Sequence, residues 1–366
     1  MTHTDADREA AVLDRIEAFR RRRPRFDDEV ITLAHGAGGK ASAALIDAVF
    51  LDAFAPTPEG ERAAPPGDAA CIQLPDGGRV VFSTDSFVVT PRRFPGGSLG
   101  HLAVHGTVND LAMAGARTSW LSAAFVMEEG FPVAELRELV ADMASAATAA
   151  GVAIVTGDTK VVDRGAADGV YITTAGVGLV PAGRTLGPEL VRPGDRVLVS
   201  GTIADHGMAV MLARGDLALE ADIRSDTAAL NRLVDDLLAA APGTRWLRDP
   251  TRGGVGTVAN ELAQACGLGV VLDEVHLPVD PAVAGACDLL GIDPLYVANE
   301  GKLVAVVAPG DADAALAAMR ARPEGAGAVD IGEVVADPTG IVVLRTTFGG
   351  TRIVDMLVGD PLPRIC

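Results

Sequence analysis

Strand-sized apolar runs alternate with helix-sized amphipathic runs along both halves of this chain. That alternation restricts it to an α/β (mixed α+β) architecture, because helices between strands must return to cover a sheet face. In the first half, strands are predicted at 30–34, 69–74, 79–84, 119–127, 152–156 and 170–179, with helices at 41–54, 99–114 and 132–150. In the second half, strands are predicted at 196–200, 268–272, 303–308 and 341–345, with helices at 206–213, 226–240, 255–266 and 281–290. A leading helix is predicted over 5–23, where Val12, Leu13, Ile16 and Phe19 recur at helical spacing and Arg20 to Arg23 favour the helix dipole before Pro24. Residues 55–67 read as a Pro-rich loop. A length of 366 residues suits two cored domains. The bounds expected are a helical extension at 1–29, an N-terminal domain at 30–185, a C-terminal domain at 186–345 and a tail at 346–366.

The net charge of −18 argues against a generic nucleic-acid surface, which would be basic. An acidic site that takes a phosphate ligand needs Mg²⁺ between the two. There is no apolar leader and no run of about 18 apolar residues, so a cytoplasmic protein without a membrane span is expected. The four cysteines show no zinc spacing and read as reduced thiols. Cys71, Cys266 and Cys287 lie in apolar surroundings and are expected to be buried and inert.

The chemistry-bearing residues collect at predicted element edges. Asp68 precedes a strand, Asp85 and Asp158 end strands, Asp110 follows Asn109 on a helix, and Asp249 begins Asp-Pro-Thr-Arg-Gly-Gly254. Ligands gather at strand ends in α/β folds, and converging carboxylates demand a hard cation. His-Gly-Ala-Gly-Gly-Lys40 is not a P-loop, because Ala34 stands at the first glycine position and Ala41 follows the lysine. Its glycines before a helix can still present backbone N–H groups to a phosphate, although a plain tight turn reads equally well. Only three of the 31 basic residues are lysines, and Lys40, Lys160 and Lys302 each follow a compact polar or glycine motif. A compact ammonium is not interchangeable with a guanidinium. His101 and His105 have the spacing of a metal pair but lack a third ligand, so packing histidines are the better reading. Glu300, in Asn-Glu-Gly-Lys302, reads as a loop residue or a general base.

The chain closes on Pro361-Leu-Pro-Arg-Ile-Cys366. Two prolines in three residues cannot continue a helix or sit inside a sheet. An extended, partly mobile arm is therefore expected, carrying a terminal thiol over a span of roughly 33 Å for ten residues.

Taken together, LAHGAGGK, FSTDSFVVTP, FPGGSLG, GTVNDLAMAGA, IVTGDTKVVDRGAADG, LVSGTIADHG, RDPTRGGV, VANEGKLV and the terminal PLPRIC resemble the HypE family of hydrogenase maturation proteins, within the AIR-synthetase-like (PurM-like) superfamily. The similarity runs from about residue 30 to Cys366; the leading helix and the 55–67 loop are additions. It implies a two-domain PurM-like/AIR-synthetase-like fold with a flexible C-terminal Cys tail, paired through its N-terminal domains in a homodimer. It implies ATP and Mg²⁺ as cofactors, with HypF and the HypC–HypD complex as partners. HypF would load a carbamoyl group on Cys366, and the enzyme would dehydrate that S-carboxamide to an S-cyanate with ATP, supplying the cyanide ligand of a [NiFe] hydrogenase. On these residues, Asp68, Asp85, Asp110 and Asp249 are the implied Mg²⁺ ligands. Gly38, Gly39, Asn109, Asp158, Thr251, Arg252, Gly253 and Gly254 are implied nucleotide contacts beside those carboxylates. Lys160 would stabilise charge on the transferring phosphate or carbamoyl oxygen, and Glu300 would remove protons from the carbamoyl nitrogen. Aminoimidazole ribonucleotide synthetase, thiamine-phosphate kinase and selenophosphate synthetase share ATP use but need no terminal thiol. A non-catalytic, nucleotide-switched thiol carrier is the alternative from another class.

Overall fold

A computed structural model describes residues 26, 28–54, 67–215, 221–359, 362 and 365. The predicted helix at 5–23, nearly all of the 55–67 loop and the terminal Cys366 lie outside the described residues. The chain divides into two compact units, Met1–Ala63 with Leu357–Gly359, and Ala64–Met356 with Asp360–Cys366.

In the smaller unit the strand expected at 30–34 does not form. Leu33–Gly36 is a 3₁₀ turn, closed by His35 Nδ1 accepting the Thr32 N–H at 2.9 Å. Val30, Ile31 and Leu33 are exposed, so their apolar character found no sheet to join. Helix α1, Lys40–Leu45, follows and widens into a π-type turn over Ile46–Leu51.

The larger unit carries two main sheets. Strand β1 (Ala70–Gln73) and β2 (Arg79–Phe87) precede a two-residue-per-arm hairpin, β3 (Arg93–Phe94) and β4 (Gly97–Ser98). Helix α2 (Leu99–Met113), β5 (Arg117–Glu128), α3 (Val133–Ala150), β6 (Ala153–Val162) and β7 (Val170–Leu179) follow. The first sheet has the order β1-β2-β7-β5-β6 and is antiparallel except for β5 and β6. β7 alternates buried and half-buried residues, as a strand with one covered face must. Its buried positions face α2, which is enclosed on nearly every side. The opposite face of the sheet leaves Ile72, Phe82 and Trp120 exposed.

The second sheet is formed by β8 (Arg196–Val199), β9 (Thr244–Arg248), β10 (Gly269–Asp273), β11 (Val304–Val307), β12 (Val329–Val335), β13 (Val342–Arg345) and β14 (Thr351–Val354). Its order is β14-β13-β10-β12-β8-β11-β9. Strand β11, which lies between β8 and β9, reads Val-Ala-Val-Val and is buried on both faces, which explains its unbroken apolar run. Helices α4 (Asp205–Ala213), α5 (Asn231–Ala240), α6 (Gly254–Cys266), α7 (Pro281–Leu290) and α8 (Ala312–Arg320) complete the unit.

Four differences from the sequence reading affect the site. β6 does not end near residue 156 but runs through Gly157, Asp158 and Lys160 to Val162. Gly157 lies inside the strand: it pairs with Ala123, and a Cβ there would stand 2.1 Å from the Ala123 carbonyl oxygen. β2 likewise continues past Asp85 to Phe87, so Asp85 lies within a strand. The helix expected from 226 begins at Asn231, and the segment before it is irregular and bonds to its neighbours through side chains and backbone. β9, β12, β14 and α8 were not foreseen. β12 is broken in sequence by Gly332, which sits at a register shift where a Cβ would lie 2.0 Å from Val271 O.

The core around α2 and α3 continues to α4 and α7 and takes in Leu362 and Ile365 of the tail, each only 1% exposed. These two tail residues are therefore seated, where a mobile arm was expected. Cys71 is exposed on β1, contrary to the buried thiol expected. Cys287 is buried, and burial pushes its thiol up to about 11, which makes it inert.

Candidate active site

Asp68, just before β1, Asp110, on α2, and Asp249, just after β9, converge from three distant places in the sequence. One oxygen from each lies within 4.8 Å of the others. Ser83, on β2, holds the group together: its hydroxyl donates to Asp110 Oδ2 at 2.6 Å and stands 3.0 Å from the Asp68 carbonyl. Arg248 is the compensating cation, 2.9 Å from Asp68 and 3.2 Å from Glu261 on α6. Burial raises all three carboxyl groups, and mutual repulsion adds to it, Asp249 acting on both Asp68 and Asp110. For Asp249 the result is a rise from 3.8 to about 6, with burial first and Arg248 opposing. Asp249 Oδ2 is buried without a hydrogen-bond partner among the described residues. An all-oxygen, anionic, partly unsatisfied cluster fits a hard divalent cation such as Mg²⁺. Asp85 is outside this ligand group, but its charge acts on Asp68, Asp110, Asp249 and Glu300.

Glu300 is buried, and its Oε1 has no hydrogen-bond partner among the described residues. Burial first, then Asp249, Asp226 and Asp85, hold its carboxyl well above the usual range, against the opposing charge of Arg252. Its backbone is fixed by Asp226, whose Oδ1 accepts the Glu300 N–H at 3.1 Å. Lys302 is the counter-ion of Asp226 at 3.3 Å, and both side chains are buried. That assigns a task to one of the three lysines: it neutralises the carboxylate that holds the Glu300 loop.

The loop after Asp249 needs its glycines. Gly253 and Gly254 have φ of +77° and +60°, and a Cβ on Gly254 would meet the Leu295 carbonyl oxygen at 2.5 Å. The Gly254 N–H is already given to the Thr251 carbonyl at 2.9 Å, so its requirement is steric. Thr251 is half-buried and Arg252 exposed at the start of α6. Asn109 uses its amide internally, donating to Ala228 O at 3.0 Å and accepting from Leu230 N–H at 2.8 Å. It joins α2 to the irregular segment before α5.

Gly38 and Gly39 precede α1 in the smaller unit. The Gly38 N–H donates to Ser42 Oγ at 2.9 Å, and the Lys40 and Ala41 N–H groups donate to the carbonyls of Leu357 and Val358. A Cβ on Gly39 would lie 2.4 Å from Leu357 O, so this glycine admits a chain segment. Lys160 and Asp158 pair at 3.3 Å on the exposed strand β6, with side chains 71% and 64% exposed. Of the two histidines, His105 is buried, bonds Thr227 Oγ1 at 3.0 Å and is held neutral by burial and by His101. Sequence reasoning missed Ser83, Arg248, Glu261 and Asp226; only Arg248, adjoining Asp249, carried a usable signal.

The fold and this acidic centre define a PurM-like protein. Residues 66–180 match the N-terminal domain of AIR synthase related protein and residues 192–345 its C-terminal domain. The chain is 58% identical over 339 residues to carbamoyl dehydratase HypE of Rhodobacter capsulatus, covering 93% of this chain and 99% of that protein. It is 47% identical to carbamoyl dehydratase HypE of Escherichia coli K12, covering 92% and 99%. A solved HypE–HypF complex matches with a TM-score of 0.80 at 46% identity, over 86% of this chain and all of that one. HypE in complex with ATP matches with a TM-score of 0.76 at 43% identity, over 92% and 100%. The chain belongs to the carbamoyl dehydratase HypE family.

Proposed function

We propose that this protein is an ATP-dependent carbamoyl dehydratase acting on its own Cys366. The S-carboxamide on that thiol and ATP become the S-cyanate, ADP, phosphate and a proton. The observation that carries this reading is the largely buried Asp68–Asp110–Asp249 group with Glu300 electrostatically coupled to it. An amide oxygen leaves poorly; once phosphorylated it leaves as phosphate. Such a transfer needs positioning and charge neutralisation more than covalent help from protein.

Asp68, Asp110 and Asp249 hold Mg²⁺, with Asp85 adding charge beside them. Bound there, the cation supplies neutralisation of the ATP phosphates. Asn109, Thr251, Arg252, Gly253 and Gly254 shape the nucleotide region of the larger unit, Asn109 and Gly254 through the packing described, and Gly38 and Gly39 of the smaller unit are assigned as nucleotide contacts on their glycine run before α1. Glu300 takes protons from the carbamoyl nitrogen at its unpartnered Oε1, as a base within hydrogen-bond reach. Lys160, with Asp158, meets charge developing on the phosphate or carbamoyl oxygen. HypF loads the thiol, and the cyano group passes to the HypC–HypD complex. The N-terminal sheets pair in a homodimer; the uncovered face with Ile72, Phe82 and Trp120 supports this. Domains follow the bounds 30–185 and 186–345, with 1–29 and 346–366 as extensions. We assign the protein to the cytoplasm, in keeping with ATP use and a reduced thiol; no described helix is long and apolar enough to cross a membrane.

The test is mass spectrometry of the C-terminal peptide after incubation with HypF, carbamoyl phosphate and ATP. The carbamoyl adduct on Cys366 should lose one water when fresh ATP is added, and Cys366→Ala should carry no adduct. A carbamoyl adduct that persists unchanged with ATP would mark a thiol carrier instead.

A further inference from the structure

A buried histidine meets the tail. His206, on α4, is fully buried, and its Nε2 lies 2.6 Å from the carbonyl oxygen of Ile365, the residue before the terminal cysteine. A carbonyl only accepts, so Nε2 carries the proton. Burial lowers the affinity of the ring for a second proton, so it is neutral and Nδ1 is an acceptor. Ser225 Oγ meets Nδ1 at 2.8 Å and itself accepts the Thr227 N–H at 3.1 Å. The three bonds therefore run one way: Thr227 N–H to Ser225, Ser225 O–H to His206, His206 N–H to Ile365.

Packing fixes the ring and the tail together. Phe94 meets the His206 ring edge-on, with centroids 5.4 Å apart. Leu362 is seated beside Gly207, where an added Cβ would lie 3.2 Å from Leu362 Cδ1 and 2.5 Å from Val297 Cγ1. Ser225 is anchored by its own N–H, given to Pro95 O at 2.8 Å in the β3–β4 hairpin. The next residue, Asp226, holds the Glu300 N–H. Asn299 accepts the Ala204 N–H at the start of α4 and donates to Pro250 O beside Asp249. The dipeptide Ser225-Asp226 thus orients the histidine that meets the tail with one side chain and holds the Glu300 loop with the other.

We propose that His206, oriented by Ser225, is a positioning residue that latches the thiol-bearing arm in its docked state through the Ile365 carbonyl, with Leu362 as the apolar seat. The inference rests on the dehydratase reading for its consequence, but not for the latch itself. HypF loading needs the released arm and dehydration the docked one, so loss of the latch separates the two steps.

Two readouts on the full-length protein test it. The first is the rate of Cys366 alkylation by iodoacetamide, followed on the C-terminal peptide so that the other cysteines do not interfere. His206→Ala should raise it about tenfold, since a buried carbonyl loses its donor. His206→Gln, which can return an N–H near the Nε2 position, should restore it to within about threefold of wild type. The second is dehydration of the loaded thiol in a single turnover, which should slow by a similar factor in His206→Ala while loading by HypF is unchanged. Leu362→Ala, which leaves α4 intact, should repeat both effects and stands in if His206→Ala does not fold. Unchanged alkylation in folded His206→Ala or in Leu362→Ala overturns the latch, as does a Gln variant as reactive as the Ala variant. Failure of the wild-type protein to dehydrate at all would overturn the dehydratase reading and leave the alkylation result standing.

Discussion

Replacing Asp249 by Asn should stabilise the cation-free protein at neutral pH. Burial and neighbouring carboxylates raise the folded-state value of Asp249 from 3.8 to about 6. The native state therefore binds a proton more tightly than the unfolded chain. This contribution to stability is fully present below pH 3.8 and is lost as pH rises through 6. The whole gap corresponds to about 3 kcal/mol, of which about 2 kcal/mol disappears between roughly pH 4.5 and 7.5. Asp249→Asn cannot ionise, and its Oδ2 leaves behind no hydrogen bond that the described structure contains. It also relieves Asp68 and Asp110, which Asp249 repels. Urea unfolding in EDTA at the two pH values, on both proteins, measures the double difference. The variant should lose about 2 kcal/mol less stability than wild type over this interval, and added Mg²⁺ should stabilise wild type more than the variant. Equal pH dependence in the two proteins would refute the claim that this carboxylate is held under strain.

Glu300→Gln should slow dehydration roughly 100-fold or more, the usual scale for a general base. In wild type the rate should rise with pH as the raised Glu300 carboxyl gives up its proton, and single-turnover rates should show that limb missing in the variant. Lys160→Ala should leave carbamoyl loading intact and slow dehydration by about 100-fold, as loss of a charge-stabilising donor does; the adduct masses over time measure both, and normal dehydration would remove the lysine from the mechanism. Gly254→Ala should destabilise the protein by about 2 kcal/mol or more, because φ is +60° and the methyl would crowd two backbone carbonyls; thermal unfolding reads it.

Much of the fold was legible because its signals were local. β7 and α7 fall on the spans read for them, 170–179 and 281–290. Asp68, Asp110 and Asp249 were legible as candidates because each borders an element or a glycine loop. Errors arose where a residue acts through a distant neighbour. The strand read at 152–156 stops too early, because Gly157 is small so that β6 can run on past Ala123. The segment 226–230 reads as helix, yet its backbone and side chains bond to α2 and the Glu300 loop. The 30–34 run reads as strand because apolarity records a preference for burial without naming a partner.

The order of residues by itself determined the strand–helix alternation, the carboxylates able to bind a hard cation, and a terminal thiol on a proline-containing arm. Those properties belong to side chains and to short-range backbone preference. Tertiary structure alone decided that three aspartates scattered over 180 positions share one centre with their proton affinities raised by burial, that Asp226 and Lys302 support Glu300, and that His206 meets Ile365. Proton affinity and hydrogen-bond pairing depend on distance and on exclusion of water, and neither exists until the chain has folded.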